Sequence, residues 1–130
     1  MRVGILVWLL TAQPLAAQTL MTAEEFDDWS RGKTLDYAVD GQILGSETYF
    51  AGRRVRDADR GGPCIDGSWF ADGEAICFVY PAIAGVHCWH YWREGETVVA
   101  QPLSAAPDTP PQQVTEASAP LACTGPDVGV

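Results

Sequence analysis

CIDGSWFADGEAICFVYPAIAGVHCWHYW, residues 64–92, holds three of the chain's four cysteines and its densest aromatic pattern. Cys64–Phe70 and Ala75–Tyr80 alternate apolar and small or polar residues around Asp72-Gly73, which predicts a β-hairpin with a two-residue turn. Val86–Trp92 predicts the next strand. With Asp72-Gly73 as the turn, Trp69 opposes Ile76, Ser68 opposes Cys77 and Gly67 opposes Phe78. Cys64 then lies four positions from the residue opposite Cys77. At roughly 3.3 Å per residue that exceeds the roughly 7 Å Cα limit for a disulfide, so Cys64–Cys77 is excluded. Setting Cys77 against Cys88 also brings Ile76 to Trp89 and Phe78 to His87, which keeps apolar groups together. The register therefore predicts Cys77–Cys88, and elimination leaves Cys64–Cys123.

The same register puts Trp69, Ile76, Phe78, Tyr80, Trp89 and Tyr91 on one face, enough for the core of a small barrel. The opposite face carries Phe70, Val79, Val86 and Trp92. Two apolar faces need two covers, or one becomes a partner surface. The aromatic residues Trp89, Trp92, Phe70 and Tyr91 are accordingly the candidate binding face.

Upstream, Lys33–Val39 and Gln42–Phe50 flank Asp40-Gly41, a pair suited to the two positive φ angles of a type I′ turn. Arg53–Arg56 reads as a charged third strand, Asp57–Pro63 as loop, and Thr97–Gln101 as the last strand. Seven short strands joined by tight turns predict a mainly β protein, an antiparallel meander or small barrel. Thr22-Ala-Glu-Glu25 is a capping box, with Phe26 and Trp29 on one helical face and Gly32 as the stop, so a helix over 22–31 opens the domain. Phe26 and Trp29 are positioned to cover one apolar face. From Pro102 the chain is rich in Pro, Ala, Ser, Thr and Gln without an apolar period. Residues 102–130 are therefore expected to form an irregular, proline-rich arm stapled back to the 18–101 domain through Cys123.

Residues 1–17, MRVGILVWLLTAQPLAA, read as a cleavable signal peptide: Arg2, an apolar run from Val3 to Ala12, a break at Pro14, and small residues before Gln18. The run is too short to span a bilayer. Export to the periplasm or beyond, with an even cysteine count, favours disulfides. The alternative is a copper or zinc site using Cys77, Cys88 and His90, which share a strand face while His87 points the other way. No cofactor is implied. The formal net charge of −9 opposes binding to nucleic acid or to an anionic membrane surface.

Catalytic motifs are lacking: there is no GxSxG, HExxH or phosphate-binding glycine loop. Glu47 and Tyr49, in the strand Gly45-Ser-Glu-Thr-Tyr49, could flank a cavity, but a charge on the solvent side of a hairpin is the simpler reading. Arg53, Arg54, Arg56 and Arg60 cluster, with Asp57 and Asp59 interleaved to offset them.

TAEEFDDWSRGKTLDY (22–37), GRRVRDA (52–58), CIDGSWF with AICFVY and CW (64–89), YWREG (91–95) and CTGPDVGV (123–130) resemble a family of small exported, cysteine-containing β proteins of alphaproteobacteria. The likeness spans most of the chain after residue 17 and departs in a longer proline-rich arm before Cys123. It implies a helix and a disulfide-held meander and carries no activity, so no catalytic residues transfer. The expected function is a non-enzymatic periplasmic or secreted binding protein, its partner an envelope protein or a small apolar ligand. A lysozyme-type hydrolase inhibitor is the narrower version, and metal handling the alternative.

Overall fold

Asp40 and Gly41 adopt φ of 50° and 78°, the two left-handed residues that turn β1 (Thr34–Val39) back into β2 (Gln42–Phe50). The computed structural model describes residues 18–123; the expected signal peptide, residues 1–17, and residues 124–130 lie outside them. Before β1, helix α1 (Ala23–Ser30) starts at Thr22, whose hydroxyl accepts from the Glu25 amide at 3.2 Å. After the helix, Gly32 takes φ of 80° and its amide donates to the Tyr49 carbonyl at 2.8 Å. That bond swings the chain from helix to sheet.

The remaining strands are β3 (Arg54–Asp59), β4 (Ile65–Asp72), β5 (Ala75–Val79), β6 (Val86–Glu94), β7 (Thr97–Pro102) and β8 (Gln112–Glu116). All pair antiparallel with their sequence neighbours, and β8 pairs with both β7 and β1, so the sheet is a closed eight-stranded barrel. Closure removes every free edge. The expected seven strands are thus corrected to eight. Gln112-Gln-Val-Thr-Glu116 sits within the stretch expected to be irregular, and only Val114 turns a large apolar side chain inward, 2% exposed. One apolar residue cannot produce a detectable alternation.

Several element ends shift by one or two residues, and two of the shifts bear on the core and the wall. In the β4–β5 hairpin Asp72 pairs with Ala75, so the loop is Gly73-Glu74 and Trp69 opposes Phe78 rather than Ile76. Each partner slides by two residues, which preserves the face of every side chain. The expected core set survives the shift: Trp69, Ile76, Phe78, Tyr80 and Tyr91 are buried together, with Trp89 packed against them. Strand β3 begins one residue later than expected and runs on to Asp59. Asp57 to Asp59 therefore belong to the barrel wall and not to a loop.

Helix α1 does not cover a sheet face. It stoppers one end of the barrel: Phe26, fully buried, sits 4.5 Å from the Tyr91 ring, 5.0 Å from Trp69 and 5.5 Å from Tyr49 between centroids. On the outer surface Trp92 is buried beside Val99 and bridged by Leu20. The segment 117–122 lines a cleft with Ser46 and Ala58 on the outside of β2 and β3.

Both expected disulfides form, Cys77–Cys88 in the predicted β5–β6 register and Cys64–Cys123 as the remaining pair. Cys77 and Cys88 are cross-strand partners with Cα atoms 3.9 Å apart, and Cys64–Cys123 joins the start of β4 to the end of the arm at 5.2 Å. The two bridges indicate an oxidising, non-cytoplasmic environment. Among the described residues no helix is long and apolar enough to cross a membrane.

Candidate ligand-binding site at the barrel mouth

Strand alternation sends Gly45, Glu47 and Tyr49 of β2 into the barrel, and cross-strand pairing sets Glu47 between Leu35 of β1 and Asp57 of β3. Glu47 is thus an inward carboxylate facing a second one. Its Oε2 accepts from the Tyr49 hydroxyl and its Oε1 from the Tyr80 hydroxyl at 3.4 Å. Behind Tyr49 lie Tyr37, with O–O 2.6 Å, and then Tyr91, 2.9 Å from Tyr37. Each phenol has one proton to give. Since Tyr49 donates to Glu47, Tyr37 donates to Tyr49 and Tyr91 to Tyr37, a relay ending on the carboxylate.

Burial holds the phenols of Tyr37, Tyr49, Tyr80 and Tyr91 above their ordinary range, so they are neutral donors. Burial, reinforced by the Asp57 charge, pushes Glu47 up to about 8. Asp57 is also raised, chiefly by burial, and is partly relieved by a proton shared from Glu47. Two carboxyls in one poorly hydrated site hold one proton between them near neutrality.

Tyr80 reaches Glu47 because position 67 has no side chain. A Cβ on Gly67 would stand 2.5 Å from the Tyr80 ring and 2.5 Å from the Val79 carbonyl. The glycine of Cys64-x-x-Gly-x-Trp69 is therefore a seat for an aromatic ring.

Above this carboxyl pair the barrel end opposite α1 opens into a cavity of about 600 Å³, walled by Phe78, Tyr80, His87 and Trp89 with Asp57 and Asp59. A side compartment of about 290 Å³ shares Glu47, Asp57, Asp59 and Trp89 and reaches Tyr37. Of the six exposed large hydrophobic residues among the described residues, Leu44, Ile83, Val86 and Leu103 all line these spaces. The exposed apolar surface is thus concentrated at the mouth. Leu44 is there because β2 bulges: Tyr37 pairs with Gly45 and Ala38 with Ile43, leaving Leu44 unpaired.

The candidate binding face is split by the sheet. Trp89 and Tyr91 point inward, Trp89 to the cavity wall and Tyr91 to the relay, whereas Phe70 and Trp92 point outward. Residues an odd number of positions apart on a strand face opposite ways, so Trp89 and Trp92, three apart, cannot share a surface. The metal alternative loses its thiolates: Cys77 and Cys88 are oxidised to one another, and His90 lies on that outer face, paired with Gln101. Among the described residues no three His, Cys, Asp or Glu side chains are grouped to hold an ion.

The solvent-side reading of Glu47 is likewise corrected, as is that of Asp57 as an offset for the arginines. Two of the arginines find other partners outside: Arg56 pairs with Asp66 at 2.6 Å, and Arg54 and Arg56 lie over the Phe50 ring; Arg53, just before β3, lies over the ring of the core residue Trp69. A signal for the inward carboxylate was present. Tyr49 belongs in a core, and Glu47 at i−2 shares its face.

Stability should follow the Glu47 proton. The unfolded chain releases it near 4.5 and the folded one near 8, so the native state binds the extra proton between those values. This contribution to stability is full below about pH 4.5 and is lost as pH rises through about 8, with Asp57 adding in the same direction. Discounted for solvent at the open mouth, the loss is about 2 kcal/mol. Urea unfolding at pH 5 and pH 8.5 measures it. Glu47→Gln should flatten the slope, and an unchanged slope in that variant would assign the pH dependence elsewhere.

Compared with protein-family models, curated proteins and solved structures, the chain matches none of them.

Proposed function

We propose that this is a non-enzymatic binding protein of the periplasm or extracellular space that holds a small ligand in the mouth of its barrel. The observation that carries this reading is the coincidence of three features at one end of the fold: a cavity of about 600 Å³, an exposed apolar rim, and a few converging polar groups below it. Concave, largely apolar sites with few well-placed polar groups are the usual form of small-molecule pockets. Binding is favoured over catalysis because the polar groups are already engaged with one another. The phenols are consumed in the relay, and His87 Nε2 is bonded to the Ala84 carbonyl at 3.2 Å rather than to a hydroxyl it could activate.

The test is titration with N-phenyl-1-naphthylamine, an uncharged apolar probe that brightens in dry sites. Saturable enhancement with one site per chain is expected. Val86→Asp and Leu103→Asp, on exposed rim positions, should weaken binding at least 10-fold while leaving the melting temperature unchanged. Absence of saturable enhancement in the folded, oxidised protein would overturn the reading.

A further inference from the structure

We propose that the mouth selects an amphiphilic organic amine, its ammonium group seated against Glu47 and Asp57 and its apolar tail lying along Trp89 and the rim residues Leu44, Val86 and Leu103. The inference rests on the binding reading above and adds the chemistry of the ligand. Its basis is charge complementarity inside an apolar-rimmed cavity.

Among the described residues lining the cavity there are three carboxylates, Glu47, Asp57 and Asp59, and no lysine or arginine. The nearby arginines of β3 face outward onto Asp66 and Phe50. Glu47 is directly opposite Asp57 in the β2–β3 ladder, an arrangement of like charges that costs stability unless a proton or a cation is placed between them. Evolutionarily cheap alternatives, such as a glutamine at either position, would remove that cost in the empty protein. A bound ammonium removes it in the complex.

The facing groups define which cation fits. Around Glu47 stand Leu35 and Tyr37 from β1, Tyr49 from β2, Asp57 and Asp59 from β3, Tyr80 after β5, and His87, Trp89 and Tyr91 from β6. The phenols spend their protons on one another and on Glu47, so they orient the carboxyl without competing as a positive charge. Trp89 offers an indole beside the acids, and an ammonium near an aromatic face gains a further attraction. A hard metal ion would need about six or more oxygen ligands, and half of this lining is apolar. An alkylammonium uses both halves.

The experiment is calorimetric titration of the oxidised protein with three chain-matched probes, octylamine, 1-octanol and octanoate, below their aggregation concentrations at pH 7.5. Octylamine should bind at least 10-fold more tightly than 1-octanol, and octanoate more weakly than either. Asp57→Asn and the double variant Glu47→Gln/Asp57→Asn should abolish the preference while retaining 1-octanol binding, with melting curves confirming that each is folded. Should 1-octanol or octanoate equal octylamine, or the preference survive in the folded double variant, the amine inference is overturned while the binding reading stands. If neither these probes nor N-phenyl-1-naphthylamine bind, both readings fall.

Discussion

Phe26→Ala will lower the free energy of unfolding by about 4 kcal/mol, in the range for removing a large aromatic side chain from a core. The residue is fully buried, and besides Trp29 of its own helix its ring meets four barrel rings, Tyr49, Trp69, Phe78 and Tyr91, within 6.4 Å between centroids. No neighbour can collapse into the vacancy easily. Those four rings come from β2, β4, β5 and β6, whose backbones are fixed by the closed ladder. The helix holding Phe26 has eight residues and is too short to be stable unaided, so its docking depends on that ring. The consequence extends to the mouth, because Tyr49 and Tyr91, which pack on Phe26, are members of the relay that fixes Glu47. Weaker N-phenyl-1-naphthylamine binding should accompany the lost stability. Trp29→Ala, at a half-buried position, should cost much less. Urea unfolding of the two variants gives the comparison, and a loss below about 1 kcal/mol for Phe26→Ala would mean that the helix is not seated in the barrel.

Replacing Cys64 and Cys123 together by serine will cost a similar amount, about 4 kcal/mol by the loop-closure account. The bridge spans 59 positions, against 11 for Cys77–Cys88, and the longer loop restricts the unfolded chain more. The local effect should be specific to β8. That strand has a single large buried apolar residue, Val114, and reaches its place between β7 and β1 through a connection containing several prolines. Without the Cys123 anchor the strand is held by few side-chain contacts. Amide exchange should then accelerate at the β1 and β7 positions that pair with β8, including Tyr37 and Ala100, before the rest of the barrel is affected. The uncovered edges of β1 and β7 would favour association between chains, visible by light scattering. Unchanged stability and unchanged exchange at those positions would show that the barrel closes without the staple.

The two halves of the barrel were unequally legible. From Cys64 to Trp92, aromatic and apolar residues alternate with a period of two, and that pattern placed the core face and both disulfides even though the β4–β5 turn lies one residue further on. Parity outlasts such a slip because facing repeats every second residue. Around Glu47 and Asp57 the pattern gave the opposite impression, since charges on a short hairpin ordinarily face water. Nothing local to Asp57 contradicts that. Its inward position follows from β3 being clamped between β2 and β4 with Val55 in the core.

By itself, then, the order of residues determined the mainly β class, the capped N-terminal helix, the Asp40-Gly41 turn, the core face of β4 to β6 and the cysteine partners, because each rests on spacing or on the backbone preferences of a few adjacent residues. Tertiary structure alone decided closure by β8, the plugging of one end by Phe26, and the enclosure of Glu47 and Asp57 with four tyrosines under an apolar rim. Those features arise where strands distant in the chain meet. Which end of a barrel is stoppered, and which charges end up inside it, is settled only when the sheet has curled round upon itself.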